Sequence, residues 1–173
     1  DVVEILPWLK KEYLKGEADS DFQFFPGMEG ANYIMFDYDG VDEDSYVFDY
    51  QVPMDATGGV EMNKGVDRGI EKRVGGRGIE YNLTPMTDWT KHVLSYQVER
   101  NPHYLDRAQF RYLPFEMQNF NVMIRLKGDR VWIVSVKDKE VWGIKIRSSN
   151  LASSLISIHQ ALWKMADPIT KDM

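Results

Sequence analysis

Apolar residues recur at every second position over much of the second half of this chain and at every third or fourth position between those runs. That change of period predicts its elements. In "AQFRYLP", "NVMIRLK", "RVWIVSV" and "VWGIKIR" the recurring residues are mostly β-branched or aromatic, as strands favour. Val122, Ile124 and Leu126 share one face of the second run, and Trp142, Ile144 and Ile146 share one face of the last. Lys127-Gly128-Asp129-Arg130 and Lys137-Asp138-Lys139-Glu140 separate these runs as hairpin turns. "VWIVSV" is apolar on both faces, which predicts a central strand with helices over each side.

Before this sheet region the period alternates. "DFQFF" reads as a short strand, and Met28, Ala31, Ile34 and Met35 follow at helical spacing. "SYVFDYQV" (45–52) is a second strand, Met62, Val66, Ile70 and Val74 mark a helix over 60–74, and "IEYNLT" (79–84) is a third strand. "TDWTKHVLSYQVER" continues as a helix with Trp89, Val93 and Tyr96 inward, ended by Asn101-Pro102. The closing "SSNLASSLISIHQALWKMADP" predicts a core helix capped at Ser149 or Asn150, with Leu151, Leu155, Ile158, Leu162 and Met165 on its buried face. At the other end "DVVEILPWLKKEYLKG" is an amphipathic helix limited by Pro7 and stopped at Gly16. The expected fold is α/β, a mixed β-sheet flanked by helices on both faces. Residues 1–16 form a leading helix and residues 17–173 a single domain.

Composition narrows the function. The 173 residues contain no cysteine, so disulfides and thiolate metal sites are excluded, and with no signal-like leader a cytoplasmic setting is expected. The longest apolar runs are a few residues, far short of the ~20 that a spanning helix needs. Net charge is −6, divided between an acidic first third and a mildly basic remainder. No concentrated basic face of the kind that grips a nucleic-acid duplex is evident.

The candidate motifs mostly read as structure. In "QFFPGMEG" Gly27 and Gly30 lie between a strand and a helix, but the third glycine of a dinucleotide fingerprint and the Gly-Lys-Ser/Thr of a P-loop are missing; the stretch is a corner. "DYDGVDED" places Gly40 fourth after Asp37, where a calcium loop needs it sixth, and reads as a solvated acidic loop. Lys64, Arg68 and Lys72, joined by Arg73 and Arg77, form a basic stripe interleaved with Glu61, Asp67 and Glu71, most simply an exposed face laced with ion pairs. His92, His103 and His159 fall in three separate segments and form no metal-ligand pair. No catalytic residue, metal site or cofactor is expected.

The order of "LPWLKKEYLK", "DFQFFPGMEGANYIMFD", "KRVGGRGIEYNLTP", "RYLPFEMQNFNVMIRLKGDRVWIVSVKDKEVWGIKIRS" and "NLASSLISIHQALWKMA" resembles the C-terminal effector domain of TrmB-like transcriptional regulators. The resemblance implies a phospholipase D-like fold preceded by a linker helix, with DNA binding supplied by an upstream winged helix-turn-helix, and a sugar or other small metabolite as effector. Phospholipase chemistry needs H-x-K-x-x-x-x-D. His92-Val93-Leu94, His103-Tyr104-Leu105 and His159-Gln160-Ala161 lack its lysine, so a phosphodiesterase is disfavoured. The alternative is a stand-alone small-molecule-binding or scaffold protein of the same fold. Ile5, Leu9 and Tyr13 of the leading helix suggest a homodimer. Ligands in open α/β sheets bind outside strand ends, which points to Gln51, Thr84, Arg111 and Ser135. In that set Arg111 would hold an anion or sugar hydroxyl, and the other three would give neutral hydrogen bonds.

Overall fold

The structure, a computed structural model, describes residues 21–37, 40–49, 60–114, 117, 120–137 and 140–169. The leading helix, with Ile5, Leu9 and Tyr13, lies outside them, as does Gln51. Seven strands, β1 (Asp21–Pro26), β2 (Ser45–Phe48), β3 (Glu80–Thr84), β4 (Ala108–Tyr112), β5 (Met123–Lys127), β6 (Arg130–Lys137) and β7 (Glu140–Arg147), make one sheet in the order β1-β7-β6-β5-β2-β3-β4. β2, β3 and β4 run parallel, and every other pairing is antiparallel. Among the described residues, α1 (Gly27–Met35), α2 (Val60–Gly75), α3 (Asp88–Arg100) and α4 (Ser149–Met165) cover its faces. The expected mixed sheet with helices on both sides is therefore present.

Chemistry explains where each helix lies. α1 presents Ala31, Ile34 and Met35 to Trp132, Val134 and Val136 of β6, whereas α2 and α3 bring Ile70 and Leu94 onto Ala108 and Phe110 of β4. α4 packs on the opposite face, against Phe48, Leu83, Leu126 and Val131. β6 is thus buried on both sides, as its doubly apolar run required. The free edge of β4 is paired by the segment after α4, where Pro168 bridges to Arg111 and the Ile169 amide donates to the Phe110 carbonyl at 3.1 Å.

Two expectations about α4 need correction. Ser148, not Ser149 or Asn150, caps it, its hydroxyl accepting from the Leu151 amide at 3.4 Å. The sheet-facing side carries Ala152 and His159, with Trp163 and, as expected, Leu155 and Leu162 packed on the same core, while Leu151, Ile158 and Met165 point outward. The helix has two apolar stripes, and the sheet takes the one whose small and aromatic residues fit Tyr46, Phe48 and Tyr81.

The corner at Pro26-Gly27 is structural. Gly27 has φ 69°, and a Cβ added at Gly30 would lie 2.6 Å from the Phe25 carbonyl carbon. Gly30→Ala should therefore push α1 off β1 and cost about 1–3 kcal/mol, read as a lower urea midpoint with unchanged slope.

Candidate functional site

Beneath α1 and α2 the sheet carries charge. Strand register places Glu80 and Asn82 of β3, Ser45 of β2, Arg125 and Lys127 of β5, Trp132 of β6 and Lys145 of β7 on that one face. Arg73 joins them from α2. Its position three residues after Ile70 and seven after Val66 puts it on the helix's buried stripe. Arg73, Glu80, Arg125 and Lys127 are all buried.

Glu80 is the inner anion. Arg73 Nη2 donates to its Oε2 at 2.7 Å, Ser45 Oγ lies at 3.4 Å and Arg125 Nε at 3.9 Å. Burial pushes the Glu80 carboxyl up, but Arg73 and Arg125, with Asn82 and Ser45, outweigh it and hold the group below the usual range. Asp49, just after β2, goes the other way: burial, then repulsion from Glu80, lifts it to about 7 against the pull of Arg125. Asp49 is therefore only partly charged at neutral pH.

Lys127 is 2% exposed and has no carboxylate partner among the described residues. Its ammonium lies 5.2 Å from the Trp132 ring centre. Burial, followed by the nearby Arg125, Arg130 and Arg73, lowers its pKa from 10.5 to about 8, with Asp37 the weaker opposing influence. Arg73 Nη1 is also buried with no hydrogen-bond partner among the described residues. Among the described residues, the buried cations Arg73, Arg125 and Lys127 thus share this interior with the fully charged Glu80 and the half-charged Asp49.

The acidic segment after α1 closes over this cluster. Asp37 accepts from Trp132 Nε1 at 2.9 Å and Lys145 Nζ at 3.0 Å, and its backbone carbonyl accepts from Arg125 Nη1 at 3.0 Å. Glu43 pairs with Arg130 at 3.3 Å, and Asp42 with Arg77 at 3.3 Å. At Gly40, with φ 71°, an added Cβ would meet Lys127 Nζ at 3.2 Å. The expectation of a simply solvated loop is corrected: its carboxylates act as counter-ions to basic groups in and around the site. Arg73, expected on an exposed stripe, is likewise an interior group.

Of the four residues expected at a ligand site, Gln51 lies outside the described residues and the other three do not meet. Thr84 is buried on the charged face, at the far end of β3 from Glu80. Arg111 lies on the opposite face, since its β3 partner is Leu83 and successive side chains alternate. It borders an open cleft of about 750 Å³ shared with Lys91, Phe110 and Trp163. Its guanidinium is committed elsewhere: Nη1 donates to the carbonyls of Trp163 at 2.8 Å and Ala166 at 3.2 Å, and the group stacks 4.9 Å from the Trp163 ring. It closes the C-terminal end of α4. Ser135 shares the face of Arg111 but sits four strands away, ~19 Å, with its hydroxyl donating to the Glu140 carbonyl at 2.9 Å. Among the three histidines, His159 is buried against Tyr46, Phe48 and Trp163. It donates from Nε2 to the Val47 carbonyl at 3.2 Å, and burial lowers it to about 4, so it is neutral.

A mixed seven-stranded sheet with helices on both faces defines an α/β fold, and solved structures share it. The chain is similar to TrmBL2, described as an archaeal chromatin protein that shows a novel mode of DNA binding, with TM-score 0.57 and 10% identity over 97% of this chain. It spans 61% of the TrmBL2 chain, less than two thirds of its length. It is similar also to Nuc of Salmonella typhimurium, a phospholipase D family member, with TM-score 0.53 and 10% identity over 88% of this chain and 99% of that one. No family model matches the sequence, and no curated protein is similar to it. No described helix is long and apolar enough to cross a membrane.

Proposed function

We propose that this chain is the effector-sensing domain of a TrmB-like transcriptional regulator, that DNA is contacted through an upstream winged helix-turn-helix, and that the effector is an anionic small metabolite such as a sugar phosphate. One observation carries the choice of ligand: among the described residues Lys127 is buried near Arg73, Arg125 and Arg130 without a carboxylate paired to it. Keeping such a lysine is costly unless something anionic meets it. Arg73 and Arg125 offer planar forks for phosphate oxygens and Lys127 a point charge. The likeness to TrmBL2 supports the regulator reading through the fold.

Sensing follows from the counter-ion arrangement. Gly40 closes on Lys127, so a ligand reaches the cations by displacing Asp37 and Glu43 from Lys145 and Arg130. The exchange of carboxylate for ligand oxygen moves the segment after α1, and that movement is the signal. A thermal-shift screen of sugars, sugar phosphates and nucleotides tests this reading. Phosphorylated compounds should add about 2.7 kcal/mol of stability at 100 times the dissociation constant and so raise the unfolding midpoint, while neutral sugars should not. A neutral sugar that stabilised the protein as strongly as its phosphate would refute the anion site.

A further inference from the structure

The cleft beside Arg111 lies apart from the cation cluster and differs from it in chemistry. It opens at the edge of the sheet, where α3 on one side and the end of α4 on the other flank β4. Lys91, Leu94, Ser95 and Val98 line it from α3 at the i, i+3, i+4 and i+7 positions of one helical stripe. Phe110, Trp163 and Ile169 extend the apolar walls around about 750 Å³, a volume within the roughly 300–1,000 Å³ of small-molecule sites. Among the described lining residues Lys91 and Arg111 alone are charged, in a chain that carries 27 acidic against 21 basic side chains. Neither is ion-paired among the described residues. The bonds from Nη1 and the stack on Trp163 hold the Arg111 guanidinium in one plane, and its Nε and Nη2 edge has no acceptor among the described residues.

We propose that this cleft binds a small apolar monocarboxylate, an aromatic or branched acid whose body lies against Leu94, Val98 and Phe110 while its carboxylate meets the Nε and Nη2 edge of Arg111 and the ammonium of Lys91. The occupant follows from the lining. A carboxylate matches an arginine edge with two parallel hydrogen bonds, and an edge already fixed by Trp163 and Ala166 loses little freedom in making them. Lys91, exposed on a flexible stem, closes on the same anion as a point charge. The walls take hydrocarbon but offer few partners to the hydroxyls of a sugar, Ser95 and Gln109 being the neutral polar side chains there. A cationic ligand would meet two like charges. Arg111 stands on the opposite face of the sheet from Glu80 and Asn82, so this second site does not rest on the effector reading above.

Calorimetric titration of the full chain with naphthoate tests the assignment. Saturable one-to-one binding is expected, and naphthalenemethanol, which keeps the rings and lacks the charge, should bind at least ~10-fold more weakly. Lys91→Glu should weaken naphthoate by a similar factor, and Ser95→Trp, which fills the cleft from an exposed helix position, should abolish binding, both with unchanged far-UV circular dichroism. Arg111 stays in place because it closes the end of α4. Lys127→Met should bind naphthoate as the wild type does, which keeps failure here distinct from failure of the effector site. The proposal is overturned by absence of binding at millimolar naphthoate, by an alcohol that binds as tightly as the acid, by an affinity indifferent to Lys91→Glu and Ser95→Trp, or by loss of binding in Lys127→Met.

Discussion

Lys127→Met should be more stable than the wild type at pH 7, by about 1–3 kcal/mol, and should no longer respond to phosphorylated ligands. The gain comes from desolvation. Lowering the lysine from 10.5 to about 8, at about 1.4 kcal/mol per pKa unit, means that keeping it charged in the fold costs roughly 3 kcal/mol. Methionine fills a similar volume without charge, and losing the contact with Trp132 subtracts part of the benefit. The sign with pH is fixed by linkage. Between about pH 8 and 10.5 the unfolded chain holds the Lys127 proton while the native protein releases it, so wild-type stability rises with pH there. The advantage of Lys127→Met is therefore full below pH 8 and fades above it. Urea unfolding of both proteins from pH 7 to 10 checks this, and a variant less stable than wild type at pH 7 would mean that Lys127 is a structural tie.

Glu80→Gln should lose about 3–5 kcal/mol, because it leaves Arg73 and Arg125 buried without their shared carboxylate. Glu80 is held below its ordinary pKa, so it stabilises the fold above that ordinary value and the contribution disappears as acid protonates it. Removing both charges in Arg73→Met with Glu80→Gln should recover part of the loss, since the cost belongs to the orphaned cation rather than to the pair. A double variant as unstable as the sum of the two singles would show that the groups do not act on one another. Guanidinium or urea midpoints of the four proteins complete the cycle.

Strands and helices were legible in the sequence because burial imposes a period, and residues such as Ile34, Val134 and Leu83 keep to it. The candidate site was less so. Arg125 and Lys127 alternate with Ile124 and Leu126 in what looks like a half-solvated strand, and only the helices over the other face make those positions interior. The doubly apolar β6 held the clue, since a strand covered on both sides implies neighbours covered on both sides. Arg73 was hidden among exposed basic residues, although its spacing from Val66 and Ile70 placed it inward. Thr84 and Arg111 fail to meet because strand pairing sets Arg111 across from Leu83, and that register depends on contacts distant in sequence. α4 misled for another reason: Leu155 and Leu162 of its regular stripe lean on the sheet while Leu151, Ile158 and Met165 face out, and periodicity alone does not say how far a stripe is rotated from the sheet.

The ionisation of Lys127 tests the anion site most directly. NMR titration of its ammonium, assigned through Lys127→Met, should place the ligand-free pKa near 8 and move it up toward 10.5 when inorganic phosphate is added. A Lys127 that titrates near 10.5 without ligand, or near 8 with and without phosphate, would contradict a buried lysine awaiting an anion.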